Sequence, residues 1–152
     1  MDRFRRILVP TDFSVPSLRA VARAASLARE FGANVLLLYV VEKTSLTPMS
    51  LVQQVPVTLS GEGDLLGEAV EFGEKRLKEL RDGHFAGVET ETRITVAANA
   101  TSGILDICTS YRPDLIIVSD QGRSGAMNLL MGGTAERVAR HAPTTVLIVR
   151  DR

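Results

Sequence analysis

The sequence predicts a doubly wound α/β domain, a five-stranded parallel sheet with helices on both faces. Three observations predict it. Short apolar runs alternate with stretches of helical periodicity in the order β-α-β-α-β-α-β-α-β, and such alternation makes strands parallel with helical crossovers between them. The strongest runs, "NVLLLYVVE" and "DLIIVS", are apolar at successive positions, as strands covered on both faces are. The length, 152 residues, suits one domain spanning residues 1–152, large enough to bury a core without a metal or disulfide.

Each element has a local cause. Residues 6–9, "RILV", form a short strand run closed by Pro10. The turn-rich "TDFSVP" follows, where Ser14 can cap a helix and Pro16 is tolerated in its first turn. Leu18, Val21, Ala22, Ala25, Leu27, Ala28 and Phe31 recur at helical spacing, and Gly32 ends the helix. Residues 34–42 are the second strand. Residues 43–63, rich in Ser, Thr, Pro, Gln and Gly and without a period, read as a long loop excursion.

Helical spacing returns over 65–82, through Leu65, Leu66, Ala69, Val70, Phe72, Leu77 and Leu80, with His84 in the turn after it. "GVETETRITV" alternates polar and apolar and predicts a less buried strand. "TSGILDICTSY" is a helix in which Gly103 is a mild defect. The strand 114–119 leads into the glycine-rich loop "DQGRSGAMNLLMGG", then the helix "TAERVARHA" and a last strand, 144–149, introduced by Pro143. No internal repeat or low-complexity tract is present.

Composition excludes several functions. Lys plus Arg and Asp plus Glu both number 18, so the chain lacks the basic surplus of a general nucleic-acid binder or an electrostatic membrane anchor. Arg3, Arg5 and Arg6 read as a solvated strand entry. No apolar run approaches the roughly 20 residues of a membrane span, and "MDRFRRILVP" lacks the apolar core of a signal peptide. The single cysteine, Cys108, cannot form an internal disulfide and reads as a small core hydrophobe. A cytoplasmic protein is expected.

In open α/β sheets ligands sit beyond the carboxyl ends of strands, where strand order reverses. Two segments qualify: "PTDFS" after the first strand and the glycine-rich loop after the fourth. They would face each other if those two strands are neighbours, which the residues alone leave open. The loop ends at Gly132-Gly133, directly before a helix, where free N–H groups and the helix dipole make an anion site. Turn formation alone accounts equally well for Gly122, Gly125, Gly132 and Gly133. Arg123, the basic residue of the loop, either contacts phosphate or is simply solvated.

No catalytic residues are assigned. There is no lysine phosphate loop, no HExxH, and no His paired with a carboxylate at a useful spacing. His141 ends a helix, where a cation suits the dipole. At most a slow ATP hydrolysis is expected.

"RILVPTDFS", "VLLLYVVE" and "DLIIVSDQGRSGAMNLLMGGTAERVARHAPTTVLIV" together resemble the universal stress protein family, across essentially the whole chain and in the right order. The resemblance implies the strand order 3-2-1-4-5 of an adenine nucleotide alpha hydrolase-like fold. It also implies a regulatory module of the stress response that binds ATP, ADP or AMP, with Mg2+ able to accompany the phosphates. In that reading Pro10 and Thr11 shape the pocket wall, Asp12 accepts from adenine or ribose, Val40 meets adenine through its backbone and Val118 through its side chain. Without the resemblance, Asp12 would be a turn cap and both valines core.

Nucleotide-binding relatives carry Gly, two residues, Gly, nine residues, then Gly followed by Ser or Thr. The nine-residue gap between Gly122 and Gly132 is kept. Ser119 replaces the first Gly, Gly133 replaces the Ser or Thr, and Ala98 stands where relatives often carry Gly. A hydroxyl at 133 would cap the helix, with Glu136 completing a capping box, and could touch a terminal phosphate; Thr134 offers a substitute one residue later. The loss predicts that AMP or ADP competes better against ATP here. The family also pairs its last strand between two subunits, so a homodimer through 144–149 is expected.

Three readings follow: a nucleotide-binding module, a dimeric stress protein that acts through protein partners without nucleotide, and a flavodoxin-like or nucleotide-hydrolysing enzyme.

Overall fold

A computed structural model describes residues 3–43, 65–121 and 133–150. In chain order the elements are β1 (Arg6–Pro10), α1 (Val15–Phe31), β2 (Asn34–Glu42), α2 (Leu65–His84), β3 (Thr90–Ala97), α3 (Ala100–Tyr111), β4 (Leu115–Ser119), α4 (Gly133–His141) and β5 (Thr145–Val149). The strands form one sheet in the order β3-β2-β1-β4-β5, every pair parallel. The predicted excursion falls outside the described residues apart from Lys43.

The uninterrupted apolar runs are explained by two cores, one per face. Ile7, Val9, Val35, Leu37, Tyr39 and Val41 face α1 and α2. Leu8, Leu36, Leu38, Ile116 and Val118 face α3 and α4. Cys108 is buried in the second core, as expected, and burial pushes its thiol pKa up.

Ser14 caps α1, its hydroxyl accepting from the Ser17 amide, and Gly32 closes the helix at φ 66°, a conformation glycine takes without steric cost. Two local expectations are corrected. α2 runs on through Gly83 to His84 because the guanidinium of Arg29, on α1, donates to the carbonyls of His84 at 2.6 Å and Ala86 at 3.3 Å. Those carbonyls have no intrahelical partner, so a contact distant in sequence satisfies them. Gly103 is not a defect: a Cβ there would lie 2.6 Å and 2.9 Å from the Val40 methyls. α3 reaches β2 this closely only with a glycine at 103.

The two sheet edges differ. β3 carries Thr90, Glu91, Thr92, Arg93 and Thr95, with Arg93 paired to Glu91 at 2.6 Å. Charged edges of this kind resist further strand pairing. β5 is Thr-Val-Leu-Ile-Val, none of it fully buried, with Leu147 37% exposed.

Candidate functional site

The site is built where the sheet comes apart. β1 pairs with β2 through Pro10–Leu38, and the Thr11 amide extends the ladder to the Leu38 carbonyl at 2.8 Å. On its other side β1 pairs with β4 only at Ile7–Leu115 and Leu8–Ile116. Beyond those pairs the β1–β4 ladder stops. β4 itself continues alongside β5, the Asp120 amide donating to the Val149 carbonyl at 3.0 Å. The β1–β4 pairing therefore ends early at the point where strand order reverses, the place where open α/β sheets hold ligands in a crevice.

The register places several of the predicted residues at this end of the sheet. Extending the β1–β2 pairing sets Asp12 level with Val40, and extending the β1–β4 pairing sets Thr11 level with Ser119. Gly133 and Thr134 open α4, the helix of the crossover from β4, and both are exposed. Gly122, Arg123, Gly125 and Gly132 lie outside the described residues.

The turn after β1 is held by its own side chains. The Thr11 side chain is buried and its Oγ1 accepts from the Phe13 amide at 3.0 Å. The same hydroxyl lies 2.8 Å from Ser17 Oγ, which donates to the Ser14 carbonyl at 3.0 Å. Thr11 is therefore the donor to Ser17, and the three bonds run head to tail. Asp12 Oδ1 accepts from the Ser14 amide at 2.9 Å and also from the Ser14 hydroxyl. The turn-capping role of Asp12 is thus present. Chains of this kind strengthen one another in a low-dielectric setting, and they fix the direction of the carboxylate.

The other wall is quieter. Val118 is 4% exposed, within the α3–α4 core, and Val40 is half-buried against that core. The Ser119 hydroxyl donates to the Gln121 carbonyl, so its side chain is tied back onto its own loop. Position 133 is the first helical residue of α4, one place inside the capping position expected for it. Glu136 pairs with Arg140 at 2.9 Å, the ordinary i,i+4 arrangement of a helix surface, rather than completing a capping box. Among the described residues, a Cβ at 133 would meet nothing nearer than Arg137 Cζ at 3.9 Å.

Phe13, Ser17 and Gly103 also shape this end, and sequence reasoning passed over their parts in it. Gly103 carried a signal, a glycine inside an otherwise regular helix. Phe13 and Ser17 carried none beyond their place beside the turn.

A second concavity lies at the opposite, amino-terminal ends of the strands. It is a cleft of about 250 Å3 lined by Arg6, Asn34, Val35, Glu89, Glu91 and Tyr111, none of them predicted as a ligand residue. Among the described residues no group of three or more His, Cys, Asp or Glu could hold a metal ion, and no helix is long and apolar enough to cross a membrane.

Comparison with known proteins matches this architecture. A universal stress protein of Methanocaldococcus jannaschii is 32% identical over 149 residues, 97% of this chain and 82% of the relative. Among solved structures, UspA from Lactobacillus plantarum is 26% identical with TM-score 0.78, covering 99% of this chain and 100% of that one. A universal stress protein in complex with cAMP has TM-score 0.67 at 21% identity, covering 98% of each chain. The Archaeoglobus fulgidus protein in complex with dAMP has TM-score 0.60 at 19% identity, covering 97% of this chain and 98% of its own. The universal stress protein family model matches residues 3–150, and the chain belongs to that family.

Proposed function

We propose that the chain, acting as one domain over residues 1–152, is a cytoplasmic regulatory module of the stress response that binds an adenine nucleotide in the crevice between β1 and β4. The observation that carries this reading is the early end of the β1–β4 ladder beside a carboxylate held in place by Ser14. Two solved relatives of the same fold are complexes with cAMP and dAMP, which favours an adenine nucleotide over other anions.

The donor set fits such a ligand. The Asp12 carboxylate accepts from ribose hydroxyls or the adenine amine. Pro10 and Thr11 form the wall beside it, the Val40 backbone meets the base edge, and Val118 offers its apolar side. The first amides of α4, at Gly133 and Thr134, face developing or bound negative charge, since the first N–H groups of a helix have no intrahelical partner and lie at its positive end. Ser119, Gly122, Arg123, Gly125 and Gly132 supply the remainder of the phosphate loop in this reading. In this reading any Mg2+ accompanies the phosphates of ATP. Slow hydrolysis is the most the residues support.

Equilibrium dialysis against labelled ATP and AMP tests the reading. Saturable binding below millimolar nucleotide is the expected result. No binding at millimolar nucleotide would overturn it, leaving a protein that acts through partners.

The apolar edge at β5 supports a second element of the proposal, a homodimer paired through residues 144–149. An unpaired strand of this composition invites a partner strand, and a two-fold pairing closes both edges at once. Light scattering at micromolar concentration should give twice the chain mass, and Leu147→Asp should halve it. A monomeric unsubstituted chain would contradict the dimer and leave the nucleotide reading standing.

A further inference from the structure

Phe13 follows Asp12 directly and has φ 64°, the left-handed region that non-glycine residues seldom occupy and bulky ones rarely. The hydrogen bond from its amide to Thr11 Oγ1 does not require that conformation to be filled by an aromatic residue. What surrounds the ring does. The Phe13 ring sits 4.8 Å from the Tyr39 ring on β2 and meets the edge of Phe72 on α2 at 5.6 Å and 89°. One turn further along α2, the Arg76 guanidinium carbon lies 5.4 Å from the same ring, within the range of a cation–π contact.

Tyr39 is itself fixed from the other side. A Cβ at Gly73 would stand 2.5 Å from Tyr39 Cδ2 and 2.9 Å from Ile94 Cδ1, so α2 presses on Tyr39 at a distance only glycine permits. The ring of Phe13 is thus gripped by β2 and α2, on the face of the sheet shared with α1. Backbone conformations of this kind persist where the surroundings over-determine them, and they gather at ligand sites.

We propose that Phe13 is a positioning residue for the nucleotide site: its ring, clamped by Tyr39, Phe72 and Arg76, holds the left-handed turn that points Asp12 toward the ligand. The inference rests on the nucleotide reading above. It makes α2, which contributes no predicted ligand residue, part of the machinery that sets affinity.

The test compares Phe13→Gly, Phe13→Ala and Phe13→Tyr in the full chain, with Phe4→Ala as control. Phe4 pairs edge-on with Phe31 at 5.4 Å and packs on the same core, so its loss reports on core stability alone. Glycine at 13 adopts the positive φ freely, which separates the ring from the backbone requirement. Two readouts are taken well below each melting temperature: ATP and AMP affinity by calorimetry, and hydrogen exchange at the Phe13 and Ser14 amides without ligand.

The glycine and alanine variants should bind about tenfold more weakly and exchange those amides faster, because a preorganised turn is lost. The tyrosine variant should stay within about twofold of the unsubstituted chain, as the ring is retained. Phe4→Ala should melt lower yet bind normally. Unchanged affinity in Phe13→Gly, or an equal loss in Phe4→Ala, would overturn the inference while the nucleotide reading stands. If the unsubstituted chain binds no adenine nucleotide, both fall together.

Discussion

The two ends of the sheet are built differently, although each carries a concavity. At the amino-terminal end the strands are stitched together across the whole centre. The Asp114 carboxylate accepts from the Arg5 and Arg6 amides at 2.8 Å and 3.0 Å. The Arg5 carbonyl accepts from Asn34 at 2.9 Å and the Arg6 carbonyl from Asp114 at 3.0 Å, which joins β2, β1 and β4. Arg6 lies over the Tyr111 ring at 4.6 Å. Burial pushes the Tyr111 hydroxyl pKa up, against the pull of Arg6.

At the carboxyl-terminal end the same strands β1 and β4 separate, and the turn after β1 is organised by short polar bonds and one strained residue. The contrast separates a cleft closed by backbone pairing from a strand end where the β1–β4 pairing stops, and the proposed nucleotide site belongs to the second. Arg6 lies over Tyr111 and Glu91 pairs with Arg93, whereas Asp12 and Ser119 follow the ends of two strands that no longer pair.

The left-handed residues make the same point. Arg112 has φ 52° at the end of α3, where its amide bonds to the Cys108 carbonyl, and such a conformation is common in a helix C-terminal cap. Phe13, at φ 64°, precedes a helix and has no such cause.

The comparison breaks most readily at Asp12. Asp12→Ala should weaken ATP and AMP binding by about 10–100-fold, the worth of a hydrogen bond to a charged group. Isothermal calorimetry measures it, and normal affinity would move the site elsewhere. Next in size is Gly103→Ala. The added methyl group meets Val40 and should cost about 1–3 kcal/mol of stability, read from denaturant unfolding. A neutral result would mean that α3 can shift away from the crevice wall.

Gly133→Ser sharpens the comparison rather than breaking it. Among the described residues nothing obstructs the side chain, and ATP affinity should rise by up to about tenfold relative to AMP, checked by competition between the two nucleotides. An equal gain for both would show that position 133 does not face the terminal phosphates. The smallest effect is expected at the other end: Arg6→Ala should leave nucleotide affinity unchanged. A fall there would bring the amino-terminal cleft into the site.

Much of the fold was legible because its strands are buried on both faces. "NVLLLYVVE" matches β2 residue for residue, and the alternating "TETRITVA" is an edge strand. What was not legible depends on contacts distant in sequence. The helical spacing stops at 82 and His84 reads as a turn residue, and only Arg29 from α1 shows why the helix continues. Gly103 reads as a weakness until Val40 is placed beside it.

At the site, Asp12 was legible as a turn residue after a strand. Placing it beside the end of β4 needed the β1–β4 adjacency, which the residues alone did not supply. Phe13 was not legible at all, because a positive φ in an aromatic residue has no local sequence signature.

The most direct test of the account is a residue-by-residue map of where the ligand acts. Titrating isotopically labelled protein with ATP and following backbone amide shifts should move Thr11, Asp12, Ser119, Gly133 and Thr134, and leave Asn34, Glu89, Glu91 and Tyr111 in place. Shifts gathered instead at the amino-terminal cleft, or no shifts at saturating nucleotide, would contradict it.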